Sequence, residues 1–466
     1  MKLQCSTLRI GLFTLLALAP LVLRFAMGEY GYLPPESCCF IMHYNSSRPL
    51  LELIFDPNRT DWNFYQAREL SYFVDALDAR FIAWCVGKKF AHFLSLSSIL
   101  FFVLTIFIQQ YGIAKCFPRQ KWFISLLPSL LFGFAYISAD FNFFRSSKPA
   151  VAFFLTLLFF SVTWLLKNPA ATVRKKRIAE TAAAVSLIIM PLFDRQGFFF
   201  AGVFTVCSLL IWIGAVWKKS EKFLSFTQPQ IDSLRFFSFC GFAALLISTL
   251  WNLLLCPEII MAVNGYYPSF EYQQLPIGAY FNFTGGVKFF FRNIGFLFFP
   301  FAAAVSGIAG VAVTVLFIGA SFFIESRRDK KFRVTILFLI MLFCGIILGN
   351  TMTARHDLIL RDDVIFGTYF LPSLAIFTGF FVLIFADAPK KISCLLAAMA
   401  VIAVVGGAAL KCKFVEAPGA KDDMMFLYKA VAPQVISTLN TPDKAKEMPL
   451  PFTNSLLIDF FRNKQK

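Results

Sequence analysis

Apolar residues dominate the chain in long runs near residues 8–27, 91–110, 122–139, 149–166, 178–193, 197–217, 236–256, 294–322, 334–350, 364–386 and 392–410. Most are near the length an α-helix needs to cross the hydrocarbon of a bilayer, and few carry a charge. The pattern predicts an all-α polytopic membrane protein of about 11 transmembrane helices, with a range of 10–12. The run at 294–322 reads as one steep helix or as a span with a bent end.

The polar stretches between the runs set the organisation. Residues 1–410 form the bundle, including a first large loop at 28–90, and 411–466 form a short basic tail. A third long connection covers 257–288. With the N-terminus in the cytoplasm, Lys and Arg collect on the inner connections, as in Arg174-Lys175-Lys176-Arg177 and the Arg327–Arg333 stretch. Acids collect on the outer ones, which is the positive-inside pattern. The first run follows Lys2 and Arg9 and lacks a small-x-small cleavage site after Met27, so it reads as a retained helix rather than a removed signal peptide.

Composition agrees. Mean hydropathy is +0.68, only 15% of residues are charged and 61 are Phe. The net charge of +17 arises mostly from the inner connections, so it signals topology and not nucleic-acid binding. Eleven Cys lie largely in or beside apolar spans and show no C-x-x-C, while three His (His43, His92, His356) cannot make a histidine-rich metal site. No Walker glycine loop is present and no connection could hold a nucleotide-binding domain.

The first loop carries the strongest polar signal. Thr60 or Asp61 can cap a helix starting near Trp62. At 100° per residue, Ala67, Leu70, Phe73, Val74, Leu77, Phe81 and Trp84 share one arc, and Tyr65, Arg68, Glu69, Tyr72, Asp75, Asp78 and Arg80 share the other. This predicts an amphipathic helix on the outer interface, its apolar arc buried and its charged arc turned to the space above the bundle. It could serve only as an anchor. Asp56 and Asp61 flank its start in a Pro- and Asn-containing turn, where either could take a proton from an acceptor hydroxyl.

Three more outer clusters recur. Asp194-Arg195-Gln196-Gly197 is a very short connection that holds its charges at the mouths of two helices. Arg355, His356 and Arg361 could clamp a phosphate or pyrophosphate through paired donors, unless Asp357, Asp362 and Asp363 neutralise them. Asp140 and Arg145 form a weaker pair. Acids and arginines on one membrane side suit a ligand whose tail lies in the bilayer and whose phosphate lies at its surface.

With its acidic first outer loop (Asp56, Asp61, Arg68, Glu69), the helix beside it and the further charged outer loops, the chain resembles polytopic glycosyltransferases of the GT-C class. These use polyprenyl-phosphate sugar donors. The resemblance implies an enzyme whose first-loop acid, Asp61 or Asp56, is the catalytic base or a ligand of a divalent cation. Tyr65, Arg68, Glu69, Asp194, Arg195, Arg355, His356 and Arg361 would bind substrate. It implies as partners a polyprenyl-phosphate lipid and a saccharide or lipid acceptor, within the bilayer; the compact loops favour a bacterial inner membrane as location. The alternatives are a flippase or secondary transporter for a lipid-linked or anionic solute, or a non-catalytic assembly protein.

Overall fold

The computed structural model describes residues 10–12, 14–15, 18–19, 41, 43–45, 47–56, 68–87, 95–117, 122–134, 146–217, 226–267, 283–298, 306–325, 370–385, 394–395 and 397–406. Among the described residues the regular structure is helical. We number the helices α1 (Leu50–Ile54), α2 (Glu69–Gly87), α3 (Leu96–Cys116), α4 (Trp122–Phe134), α5 (Ser147–Lys167), α6 (Val173–Phe193), α7 (Arg195–Trp217), α8 (Gln228–Leu250), α9 (Cys256–Asn264), α10 (Phe283–Phe298), α11 (Ser306–Glu325) and α12 (Leu371–Phe385). A π-helical turn, Trp251–Leu255, joins α8 to α9.

The chain is an all-α polytopic membrane protein, but the expected count of about 11 spans is corrected. Among the described residues four helices are long and apolar enough to cross a membrane: Leu96–Cys116, Ser147–Lys167, Arg195–Trp217 and the continuous Gln228–Asn264. The reasons are local. The first turns of α6 hold Arg174, Lys175, Lys176 and Arg177, which dilute its apolar stretch, and α4, α10 and α12 have 13, 16 and 15 residues. The run at 294–322 is not one helix; it divides between α10 and α11, which pack on each other. Pro300, in the sequence between them, lacks the amide a continuing helix needs. The run at 334–350 and the tail 411–466 lie outside the described residues.

The centre of the bundle is α5. It packs against α3, α6 and α12, and buries residues around most of its circumference, including Phe154, Leu155, Leu158, Phe159 and Phe160. Such an all-round apolar helix has no face left for lipid. By contrast α7 and α8 present Val206, Leu210, Phe239, Phe242 and Leu246 outward, as helices at a lipid boundary do. A buried polar network crosses this core. Gln109 of α3 donates to the Thr378 hydroxyl of α12 (2.9 Å), Ser129 of α4 donates to Gln109 (2.9 Å), and Gln110 donates to Ser129 (2.7 Å). These uncharged groups join three helices, the role polar side chains commonly play between helices in lipid.

A second apolar cluster lies apart from the first. Tyr44, Leu53, Ile54 and Phe55 pack with Tyr72, Ala76, Ala79 and Ile82 of α2 and with Cys256 and Ile260 of α9. The long α8–α9 helix therefore runs past the bundle to meet the first loop, and part of the connection expected at 257–288 is helix. It stops at Gly265, whose φ of 75° is left-handed and suits glycine.

Close helix contact gives a test of packing. A Cβ on Gly310 would stand 1.7 Å from the backbone carbonyl oxygen of Phe291, whereas one on Gly307 meets nothing within 4 Å. Gly310→Ala should therefore destabilise the purified protein by about 1–3 kcal/mol, and Gly307→Ala should be neutral or stabilising by up to about 1 kcal/mol. Thermal unfolding in detergent checks both.

Candidate functional site

Helices entering the membrane leave amide donors unsatisfied in their first turn. At one face of the bundle three such starts, those of α3, α5 and α7, each receive a buried aspartate. Asp78 of α2 accepts from the amide of Ser97 (3.2 Å) and from the hydroxyls of Ser95 and Ser97 (2.5 and 2.6 Å). Asp75, nearly one turn earlier, accepts from the amide and hydroxyl of Ser146 (2.8 and 2.9 Å). Asp194 accepts from the amide of Gln196 (2.9 Å) in the first turn of α7.

These contacts correct the expected posture of α2. Glu69, Tyr72, Asp75 and Asp78 are buried against protein instead of facing open space, and Phe73, Leu77 and Trp84 are exposed. Arg80 falls on the exposed side as well, between Leu77 and Trp84. The described helix begins at Glu69, and the expected start near Trp62 lies outside the described residues.

Asp194 is the hub of the strongest charge cluster. Its Oδ1 receives Lys148 Nζ at 2.6 Å and its Oδ2 faces Arg68 Nη1 at 3.4 Å. The Lys148 and Asp194 side chains are only 10% and 5% exposed, so this is a buried pair. Arg68 also donates to the Tyr72 hydroxyl (3.2 Å) and lies over its ring. Two cations thus share one carboxylate, and Arg68 also feels the charge of Asp75. Burial by itself pushes the Asp194 carboxyl up, but Lys148 and Arg68 overturn this and hold it below the ordinary carboxylate range.

Two further candidates belong to different contacts. Asp56 is buried, with Oδ2 accepting from Arg48 Nη1 at 2.8 Å and Oδ1 accepting from the Tyr266 hydroxyl. Arg48 continues to Asn264 (2.6 Å) and Glu52 (3.2 Å), which ties the first loop to the end of α9. Glu69 accepts from the Trp251 indole (2.7 Å) and the Cys256 thiol (2.9 Å), fixing the start of α2 to the π turn. Of the described candidates, Arg68 and Asp194 thus meet directly, while Asp56 binds Arg48 and Tyr266, just past α9, and Glu69 binds the π turn and the start of α9. Arg195 opens α7, half-buried. Asp61, Tyr65, Arg355, His356 and Arg361, with the Asp140–Arg145 loop, lie outside the described residues.

The sequence pattern alone does not single out Lys148, whose partner Asp194 lies on a distant connection. Its signal was a cation at the start of an apolar run, on the face where the positive-inside pattern calls for few cations. Arg48 and Tyr266 gave no comparable signal, since 218 positions of sequence separate residues that the fold makes neighbours. Among the described residues no group of three or more His, Cys, Asp or Glu is arranged to hold a metal ion.

No family model matches the chain, and no curated protein does. Among solved structures, the crystal structure of ArnT from Cupriavidus metallidurans bound to undecaprenyl phosphate is similar at 13% sequence identity and a TM-score of 0.48, over 98% of this chain and 78% of that one. The likeness is distant.

The two kinds of aspartate make opposite demands on pH. Burial pushes Asp78 up to about 6 against the hydrogen bonds of Ser95 and Ser97, from an ordinary value of 3.8. A carboxyl raised on folding contributes stability that is full below 3.8 and lost as pH rises through about 6. Asp194, lowered on folding, contributes stability present above 3.8 and lost as pH falls through its folded value. Asp78→Asn should therefore flatten the change in melting temperature between about pH 5 and about pH 7 and be at least as stable as wild type at the upper end. Lys148→Met should lower stability across that range, by up to about 3–5 kcal/mol if Arg68 does not compensate. Melting curves in detergent at several pH values measure both.

Proposed function

We propose that the chain is a membrane glycosyltransferase that moves a sugar from a polyprenyl-phosphate donor to an acceptor on the outer side of a bacterial inner membrane, with its N-terminus in the cytoplasm. The single observation that carries this reading is the meeting of Arg68 and Lys148 on Asp194 at one end of the spanning helices. Two cations held together at the level of the helix starts suit the phosphate of a membrane-anchored lipid. Guanidinium and ammonium groups are the usual partners of phosphate oxygens.

In this reading the lipid tail stays in the bilayer beside the exposed apolar faces. An acceptor hydroxyl attacks the anomeric carbon, a new glycosidic C–O bond forms, and the bond from that carbon to the phosphate oxygen breaks with its electron pair passing to the phosphate. Arg68 and Lys148 stabilise the charge that grows there, an effect largest in a site already shielded from water. Asp194 keeps the two cations together before substrate arrives. Arg355, His356 and Arg361 are proposed for the same phosphate, and Tyr65, Glu69 and Arg195 for the positioning of substrate.

The proton of the acceptor goes to a first-loop carboxylate. Asp61 is the first choice. Asp56 is the substitute, and because Arg48 and Tyr266 already occupy its two oxygens, its contacts favour holding the loop in place. A divalent cation at these acids is compatible with the reading and is not required by it. A transport route would need ionisable groups in mid-span; the polar network of Gln109, Ser129 and Thr378 is uncharged and satisfied internally.

Turnover of purified protein with a defined polyprenyl-phosphate sugar tests the proposal. Asp61→Asn should lower turnover about 100-fold to 10,000-fold while donor binding survives. Lys148→Gln should weaken donor binding and turnover together. Wild-type turnover in both Asp61→Asn and Asp56→Asn would remove the first-loop base, and solute flux in vesicles without product would favour the transporter instead.

A further inference from the structure

A basic surface lies at the far end of α6 from Asp194, and the proposed chemistry does not use it. On this helix Arg174, Arg177, Ile178, Thr181, Val185 and Ile188 are all exposed, and at 100° per residue they fall within one arc of about 100°. The opposite arc holds buried Ala183, Ser186, Leu187 and Met190. One face of α6 is therefore an apolar stripe, Ile178, Val185 and Ile188, that ends in two arginines.

The dimensions and charges fit one kind of occupant. From Arg177 to Ile188 the helix rises about 16 Å, close to the ~15 Å of hydrocarbon in a single leaflet. Lys175 stands beside this arc and is also exposed. Lys176 pairs with Glu180 at 3.6 Å, whereas Arg174, Lys175 and Arg177 have no carboxylate partner among the described residues. Among the described residues, Lys167 lies over the ring of Phe117 (3.8 Å) and Arg235 over that of Phe239 (5.7 Å).

We infer that this face of α6 is a binding surface for an anionic phospholipid of the leaflet opposite Asp194. The acyl chain lies along Ile188, Val185 and Ile178, and the headgroup phosphate is held by Arg174 and Arg177 with Lys175 beside them. Paired guanidinium donors match phosphate oxygens, and juxtamembrane cations attract anionic lipid surfaces. The inference does not depend on the glycosyltransferase reading, because it uses no residue of that site.

Purified full-length protein in detergent, titrated with phosphatidylglycerol or with phosphatidylcholine of the same chains, tests it through melting temperature and through lipid retained in native mass spectra. Phosphatidylglycerol should be retained and raise the melting temperature well beyond phosphatidylcholine. The double variant Arg174→Gln with Arg177→Gln should weaken phosphatidylglycerol binding about 5-fold per arginine, about 30-fold in all. Arg80→Gln, which removes an exposed cation from α2 at the opposite end of the spanning helices, should leave it within about 2-fold, since a charge on the far side of the bundle is screened over about 8–10 Å. Equal retention of the two lipids, an unchanged double variant, or an equal loss in Arg80→Gln would each overturn the inference. Unaltered melting of the double variant without added lipid separates lost binding from lost folding.

Discussion

Helix starts in a membrane protein cannot be left with unmet amide donors, and the organisation of this chain turns on how that demand is met. α3, α5 and α7 all begin at one face, and each receives an aspartate, from α2 in two cases and from the α6–α7 connection in the third. A carboxylate at a helix start satisfies donors and suits the positive end of the helix dipole together. Because Asp75 and Asp78 are nearly one turn apart on α2, meeting both demands fixes where the helix lies along the bundle and which way it is rotated.

The same rotation brings Arg68 to Asp194. An aspartate buried at a helix start would be costly without a counter-charge, and a buried lysine more so. Lys148 and Arg68 answer the first cost and Asp194 the second. Two cations drawn onto one buried carboxylate make the cluster a candidate receptor for an anion. Around it, Asp56 with Arg48 and Tyr266, and Glu69 with Trp251 and Cys256, bind the first loop to the α8–α9 helix, so the candidate groups stand on a surface held from two sides.

Apolar surface follows the same division. The buried face of α2 is the one rich in acids, and its exposed face carries Phe73, Leu77 and Trp84. In water this would be inverted; beside lipid it is the expected arrangement, since the bilayer accepts apolar side chains and the protein interior supplies the hydrogen bonds that lipid cannot. α6 repeats the arrangement at the opposite face, with Ile178, Val185 and Ile188 outward and Ser186 inward.

Hydrophobic run length determined the membrane class and the helical content, because crossing a bilayer requires long apolar helices whatever their partners. The two arcs of α2 were also legible, and so were Arg68 and Asp194 as residues worth attention, since charges beside apolar spans are few. Which arc faces protein was not legible, because a period of 3.6 separates two faces without saying whether lipid, water or protein meets each. Lys148 needed the fold, since its value comes from Asp194, 46 positions away. Asp56 needed it too, because Tyr266 and Asn264 reach the first loop only through the extension of α8 into α9. Sequence periodicity fixes what a helix can bury; only the packing of one helix against the starts of others decides what its charges do.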